Sequence, residues 1–225
     1  MIAARPSVAE DNAWGSLSGR FVTEPAGGEA AEPQGVPGIA VYLEPAKDRK
    51  LAIHPKYETE KRRTEERTIE IRDSRFVPGI VFLRTNQPLV VKNADTIEHV
   101  ATSPKPGESP AFPGILRSGE SRRFRFPESG WQSIVCNLHN HPHAYLVIQS
   151  HPYGAVTGAD GRFVIEDLPV GEHTFRVWRP PTGYIRQAKL AGTPVEWKRG
   201  LARFTIRPGP NDLGEIQIPS DSEPP

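Results

Sequence analysis

The chain has one cysteine and one methionine in 225 residues, and the methionine is Met1. A single thiol excludes an internal disulfide, though it does not fix a redox compartment. No apolar run approaches the roughly 20 residues that a membrane-spanning helix needs. Charge of one sign is also lacking: 28 basic against 27 acidic residues leave a formal net charge of +1. That balance gives no reason to expect a nucleic-acid or membrane-surface partner. The N-terminal stretch "MIAARPSVAEDNAW" has no apolar h-region, so an intact signal peptide is not expected. "SVA" before "ED" is read as the remnant of a cleavage site, a cloning boundary or an ordinary chain end.

What is abundant is punctuation. With 24 Pro and 20 Gly between short apolar runs, the pattern favours an all-β, loop-rich chain. Residues 1–13 read as a disordered lead-in. "GSLSGRFVTE" (15–24) and "IAVYLEP" (39–45) read as strands around a loop at 26–38. The charged stretch 47–73 has poor helical spacing and reads as a solvated connector leading into a strand at Arg67–Ile71. His54 within it is expected to be an exposed loop residue. Short β-rich runs then follow at 76–83, 88–95, 99–104, 121–127, 131–138 and 144–150, the spacing of a sandwich or barrel. "GADGRF" is expected to turn on Asp160-Gly161, ahead of strands in "RFVIEDL" and "HTFRVW"; two strands in 202–219 close the pattern. No helix longer than two turns is required.

"CNLHNHPH" (136–143) puts the only thiol beside three of the seven histidines. A lone Cys at a strand end is commonly a small buried hydrophobe, and loop histidines are commonly surface residues. Within eight positions the two readings weaken each other. A soft thiolate beside neutral imidazoles selects copper or zinc. Closed structural zinc sites usually take two or more cysteines. One Cys, two His and a weak fourth ligand is the blue-copper arrangement. "VVKNADTIEHV" (90–100) supplies a histidine from a distance: a strand, an Asn/Asp turn, then His99 entering the next strand, with room for two strands before Cys136. Cys136-x-x-His139 lets both side chains turn to one point.

These two stretches, within residues 68–149, resemble the cupredoxins. The resemblance implies a copper site with His99, Cys136 and His139 as ligands. Cupredoxins usually add an axial Met just after the second His; here Asn140-His141-Pro142 occupies that stretch, leaving His143, or alternatively His141, to replace it. An axial imidazole would stabilise Cu(II) and lower the potential. Val100 also stands where many cupredoxins carry an Asn that braces the ligand loop. Glu98 should point away from His99 and is a weak candidate.

The longer run to Trp178 resembles exported bacterial proteins that join a cupredoxin to a transthyretin-like, carboxypeptidase-regulatory-like sandwich. The implied fold is all-β: a Greek-key cupredoxin β-sandwich plus a second transthyretin-like β-sandwich. The second sandwich is expected to be split, with 14–46 as its first half and 150–219 as its second. Between them lie a charged linker (47–67) and the cupredoxin (68–149), and 220–225 forms a tail. His151 fits the junction and reads as structural; His173 reads as a surface or core position. The implied function is electron transfer through one copper ion, with a redox partner or a copper donor or acceptor. Copper storage, delivery or sensing is the second class, and a metal-free interaction module the third. No Ser/His/Asp set or catalytic carboxylate pair is legible, so an enzyme is not expected, with a single-site copper enzyme left open. The oligomeric state is not readable. The implied location is periplasmic or otherwise exported.

Overall fold

The structure, a computed structural model, describes residues 13–23, 33–46, 50–102, 115–136, 138–139 and 143–219. The expected lead-in up to residue 12, part of the loop at 26–38, His141 and the tail lie outside the described residues.

The first two strands are β1 (Trp14–Thr23) and β2 (Ala40–Glu44). β1 buries Leu17, Gly19 and Phe21 on one face, the period-two pattern of a half-buried strand. The charged segment that follows carries a 3₁₀ turn at Pro55–Glu58 and one α-helical turn, α1 (Glu60–Arg63), with no buried residue in either. His54 is not the exposed loop residue expected. It is half-buried and caps the 3₁₀ turn, Nδ1 accepting from the Lys56 N–H at 3.2 Å, with its ring edge-on to Trp14 at 4.7 Å. Pro55 starts that turn, and the free amide behind it needs an acceptor.

Nine strands follow: β3 (Arg67–Arg72), β4 (Arg75–Val77), β5 (Ile80–Arg84), β6 (Leu89–Asn93), β7 (His99–Thr102), β8 (Ile115–Leu116), β9 (Ser121–Phe124), β10 (Gly130–Cys136) and β11 (His143–Gln149). They form two sheets, in the orders β4-β3-β6-β9 and β5-β11-β10-β7-β8. Ile69, Ile71, Leu89 and Val91 of the first sheet meet Leu83, Ile134, Cys136, Leu146 and Ile148 of the second in one buried core.

The remaining strands are β12 (Gly154–Val156), β13 (Arg162–Pro169), β14 (Gly171–Arg179), β15 (Gly183–Tyr184), β16 (Gln187–Leu190), β17 (Thr193–Glu196), β18 (Leu201–Ile206) and β19 (Gly209–Ile218). They pair with β1 and β2, not with the middle of the chain. One sheet runs β13-β1-β19-β16-β17; the other runs β12-β2-β14-β15, with β18 also on β14. Leu17, Phe21, Val41, Leu43, Phe175, Val177 and Ile216 lie in the core between them. The chain is therefore all-β, two sandwiches, the outer one built from both ends of the sequence.

Two local features differ from expectation. The turn before β13 is centred on Ala159-Asp160, one residue early: the Gly161 N–H donates to Gly158 O at 2.9 Å. Gly161 is held at φ +80° where a Cβ would strike the Phe21 carbonyl, so glycine is required just after the turn, not inside it. Strands β15–β17 were not announced by alternation. β16 and β17 join through Ala191 and Gly192, both at positive φ (47° and 79°), and β17 tolerates Pro194 because it is an edge strand.

The sandwiches meet outer face to outer face. Ala40 and Tyr42 of β2 pack on Ile80 of β5 and Val147 of β11, flanked by Phe82, Tyr145, Val156 and Trp178. Burying an aliphatic side chain of this size contributes roughly 1.5–3 kcal/mol. Gly154 of β12 lies so close to the Phe82 ring that a Cβ has no room.

His151 stands where the chain passes from one sandwich to the other. It is 1% exposed, stacks on Tyr153 at 5.8 Å, and accepts the Tyr153 N–H at Nδ1 (3.2 Å), while Nε2 makes no hydrogen bond. Burial pushes its pKa down to about 4; the nearby Leu43 backbone and Glu44 act the other way, and Arg84 adds to the depression. The unfolded chain then binds the proton first. Stability is full above about pH 6.5, falls as pH drops, and is lowest below about pH 4. At 1.36 kcal/mol per pH unit the loss comes to about 3 kcal/mol. Denaturant melts from pH 7 to 4 should show this slope, and His151→Phe should flatten it.

Candidate metal centre

Cys136 closes β10 on the inward face it shares with Ile134, and both are fully buried. In the β10–β7 pairing Cys136 lies opposite Ala101, so the two side chains share a face. His99 is two residues before Ala101, hence on that same face, and it too is fully buried. His139 comes from the turn three residues beyond Cys136 and is half-buried. Alternation and register thus converge one residue from each of three positions.

The geometry is symmetric about sulfur. Cys136 Sγ lies 3.6 Å from His99 Nδ1 and 3.6 Å from His139 Nδ1. All three donor atoms lie within 4.8 Å of one another, and the imidazole centroids are 4.7 Å apart. With bonds of about 2.3 Å to sulfur and about 2.0 Å to nitrogen, an S···N separation of this size subtends about 110° at an ion. Each sulfur–nitrogen pair therefore fits a first-row ion, and a small closing of the donor set, which spans up to 4.8 Å, brings all three onto it. A thiol has one proton and cannot donate it to two imidazoles at once.

Asp95 settles the tautomer of His99. Its Oδ2 lies 2.8 Å from His99 Nε2, so Nε2 carries the proton and the Nδ1 lone pair faces the sulfur. The carboxylate is itself held by the backbone N–H groups of Asp73 (2.6 Å) and Ser74 (2.9 Å). Those two residues sit at positive φ (49° and 57°) in the β3–β4 turn, which aims both amides at Asp95. Burial alone would raise the Asp95 pKa; the Ser74 N–H, the His99 ring and the Asp73 N–H outweigh it and hold the carboxyl below its usual range. Asn93, fully buried, cinches the same loop: Oδ1 accepts the Asp95 N–H at 2.9 Å, while Nδ2 donates to Ile97 O (2.7 Å) and Leu116 O (2.9 Å). These partners do the bracing that the residue after His99, here Val100, does not supply. The sequence marks Asn93 and Asp95 as a turn ahead of His99, but nothing in it pairs Asp95 with the ring or with the distant Asp73–Ser74 turn.

The structure brings together His99, Cys136 and His139. It leaves His143 outside that group: His143 is exposed at the start of β11, stacked on Tyr145 at 6.1 Å. His141 lies outside the described residues. Glu98 turns away toward Arg117 at 3.4 Å, as its strand position requires. His173 binds the Pro169 carbonyl at 2.7 Å in the outer sandwich. No described helix is long and apolar enough to cross a membrane.

No protein-family profile matches the chain, and no curated protein matches it. Among solved structures, it is similar to a purple cupredoxin from Nitrosopumilus maritimus at 15% identity and TM-score 0.33, over 36% of this chain and 98% of that one. A copper-containing nitrite reductase from Thermus scotoductus SA-01 is similar at 19% identity and TM-score 0.33, over 36% of this chain and 21% of that one. A Cu(I) form of an amicyanin variant is similar at 13% identity and TM-score 0.35, over 36% of this chain and 80% of that one.

Proposed function

We propose that this is a mononuclear copper protein that passes single electrons, with His99, Cys136 and His139 as its strong ligands. The observation that carries the reading is the buried thiol equidistant from two imidazole nitrogens at 3.6 Å. One thiolate with two imidazoles is too poor in sulfur for a closed zinc site and suits copper. A copper ion held there supplies one-electron exchange between its two oxidation states.

The protein's own residues supply the rest. Asp95 raises the donor strength of His99 and keeps its ring from turning. The strand partners of Cys136 and His99 fix the sulfur and one nitrogen in a packed core, so neither oxidation state can rearrange them far. That burial favours electron transfer over copper storage, delivery or sensing, which calls for a labile, open site. In this reading the fourth, weaker donor comes from the histidine-rich stretch at His141, because His143 stands exposed on the face of β11 turned away from Cys136. The partner is a redox protein. Exposed Ile97, Ile115 and Leu138 stand beside the ligand-bearing segments as an apolar landing surface for it. The outer sandwich is read as transthyretin-like and the protein as periplasmic or otherwise exported, on the sequence resemblance and the split sheets.

Two measurements test this. Cu(II) titrated into the metal-free protein should give an intense thiolate-to-copper band that saturates near one equivalent and is absent from Cys136→Ala. Weak uptake indifferent to Cys136 would sink the reading. Replacing Asp95 by Asn should weaken copper binding about 10–100-fold and raise the reduction potential, because the imidazole loses basicity. An unchanged potential by voltammetry would remove Asp95 from the account.

A further inference from the structure

Sheet alternation gives β10 and β11 a second working face. Trp131 lies opposite Val147, Ser133 opposite Tyr145, and Val135 opposite His143. These residues point away from the face that holds Cys136 and Ile134. On this outer side the rings form a file. His143 stacks on Tyr145 (6.1 Å, 18°), Tyr145 meets Trp178 edge-on (5.6 Å, 76°), and Trp178 meets Trp131 (6.2 Å, 34°). Each spacing lies in the range of direct ring contact. Trp178 belongs to β14, so the file crosses from the inner sandwich to the outer one and back.

Packing explains part of this file but not its end. Tyr145 and Trp178 flank the buried junction, whereas Trp131 is 65% exposed, the highest value among the exposed large hydrophobics. An indole left that open forgoes most of the stabilisation its burial would give. Tryptophan and tyrosine are also the aromatic side chains that give up single electrons most readily. The file begins close to the proposed ligands: Tyr145 faces Ser133, three residues from Cys136, or about 10 Å at the rise of a strand.

We propose that Tyr145, Trp178 and Trp131 form an electron path between the His99–Cys136–His139 site and a surface port at Trp131. The proposal rests on the electron-transfer reading above and adds a second port, remote from His139. A high-potential one-electron oxidant of the metal-complex class at the surface takes one electron from Trp131, whose indole proton passes to water. Trp178 refills Trp131, which takes a proton back from water, and Tyr145 refills Trp178, releasing its phenol proton. The site then returns one electron to Tyr145, which recovers a proton. In sum the site loses one electron, the oxidant gains one, and no proton is consumed.

The path is tested first on the metal-free full-length chain, with photogenerated ruthenium(III) tris-bipyridine as oxidant and transient absorption as readout. A tryptophan radical should form and convert to a tyrosyl radical. Tyr145→Phe should abolish the tyrosyl signal. Trp178→Phe, which keeps a packed ring but cannot be oxidised at this potential, should slow the conversion about tenfold or more. An undiminished tyrosyl signal in Tyr145→Phe, or an unchanged rate in Trp178→Phe, overturns the path. In Cu(I)-loaded protein, Trp131→Phe should slow oxidation by the same reagent about tenfold with the copper titration unaltered; an unchanged rate overturns the port. Failure of copper to bind would remove the electron-transfer reading while the metal-free measurement still judged the path.

Discussion

The register between β10 and β11 is the constraint on which the rest depends. A strand has two faces, and this one uses both. Inward, it ends at Cys136, whose neighbour across the sheet places His99 on the same side. Outward, it carries Trp131 and faces Val147 and Tyr145, which meet the other sandwich. A slip of one residue would exchange the faces, sending the thiol to the junction and an indole into the core. Ligand placement and domain contact are thus set by the two ladders that flank β10, one to β7 and one to β11.

Around that register the centre is held from three sides. The core fixes sulfur, the β3–β4 turn fixes Asp95, and Asn93 ties the Asp95 loop to Leu116 of β8. Only His139 is carried by a turn outside the sheets. The division is chemically sensible. The buried imidazole carries a carboxylate partner that sets its tautomer, while the half-buried one reaches the surface.

Much of this was legible in the residues. Strand runs announced themselves by alternation, and the thiol, the nearby imidazole and the distant one were recognisable because soft and borderline donors rarely cluster without cause. The supporting shell was not legible. Asp95 is held toward His99 by two residues, 22 and 21 positions upstream, that adopt left-handed backbone geometry, and no local pattern declares which turn a carboxylate will find. His54 read as exposed because the ring that covers it, Trp14, lies forty residues away in the chain. The β16–β17 hairpin escaped notice because a proline in an edge strand looks like a break.

The way the chain returns to the outer sandwich has a kinetic consequence. Tyr42 of β2 pairs directly with Gly154 of β12. Everything between them is one long loop as far as the outer sandwich is concerned. Closing such a loop as a disordered chain is entropically costly and slow. If the inner sandwich forms first, its own compactness brings the two strands side by side, and the outer sheets need only zip onto a pair already in place. In that order the His99–Cys136–His139 group forms within the part that folds first, and its thiol lies inside a finished core before the outer sheets close.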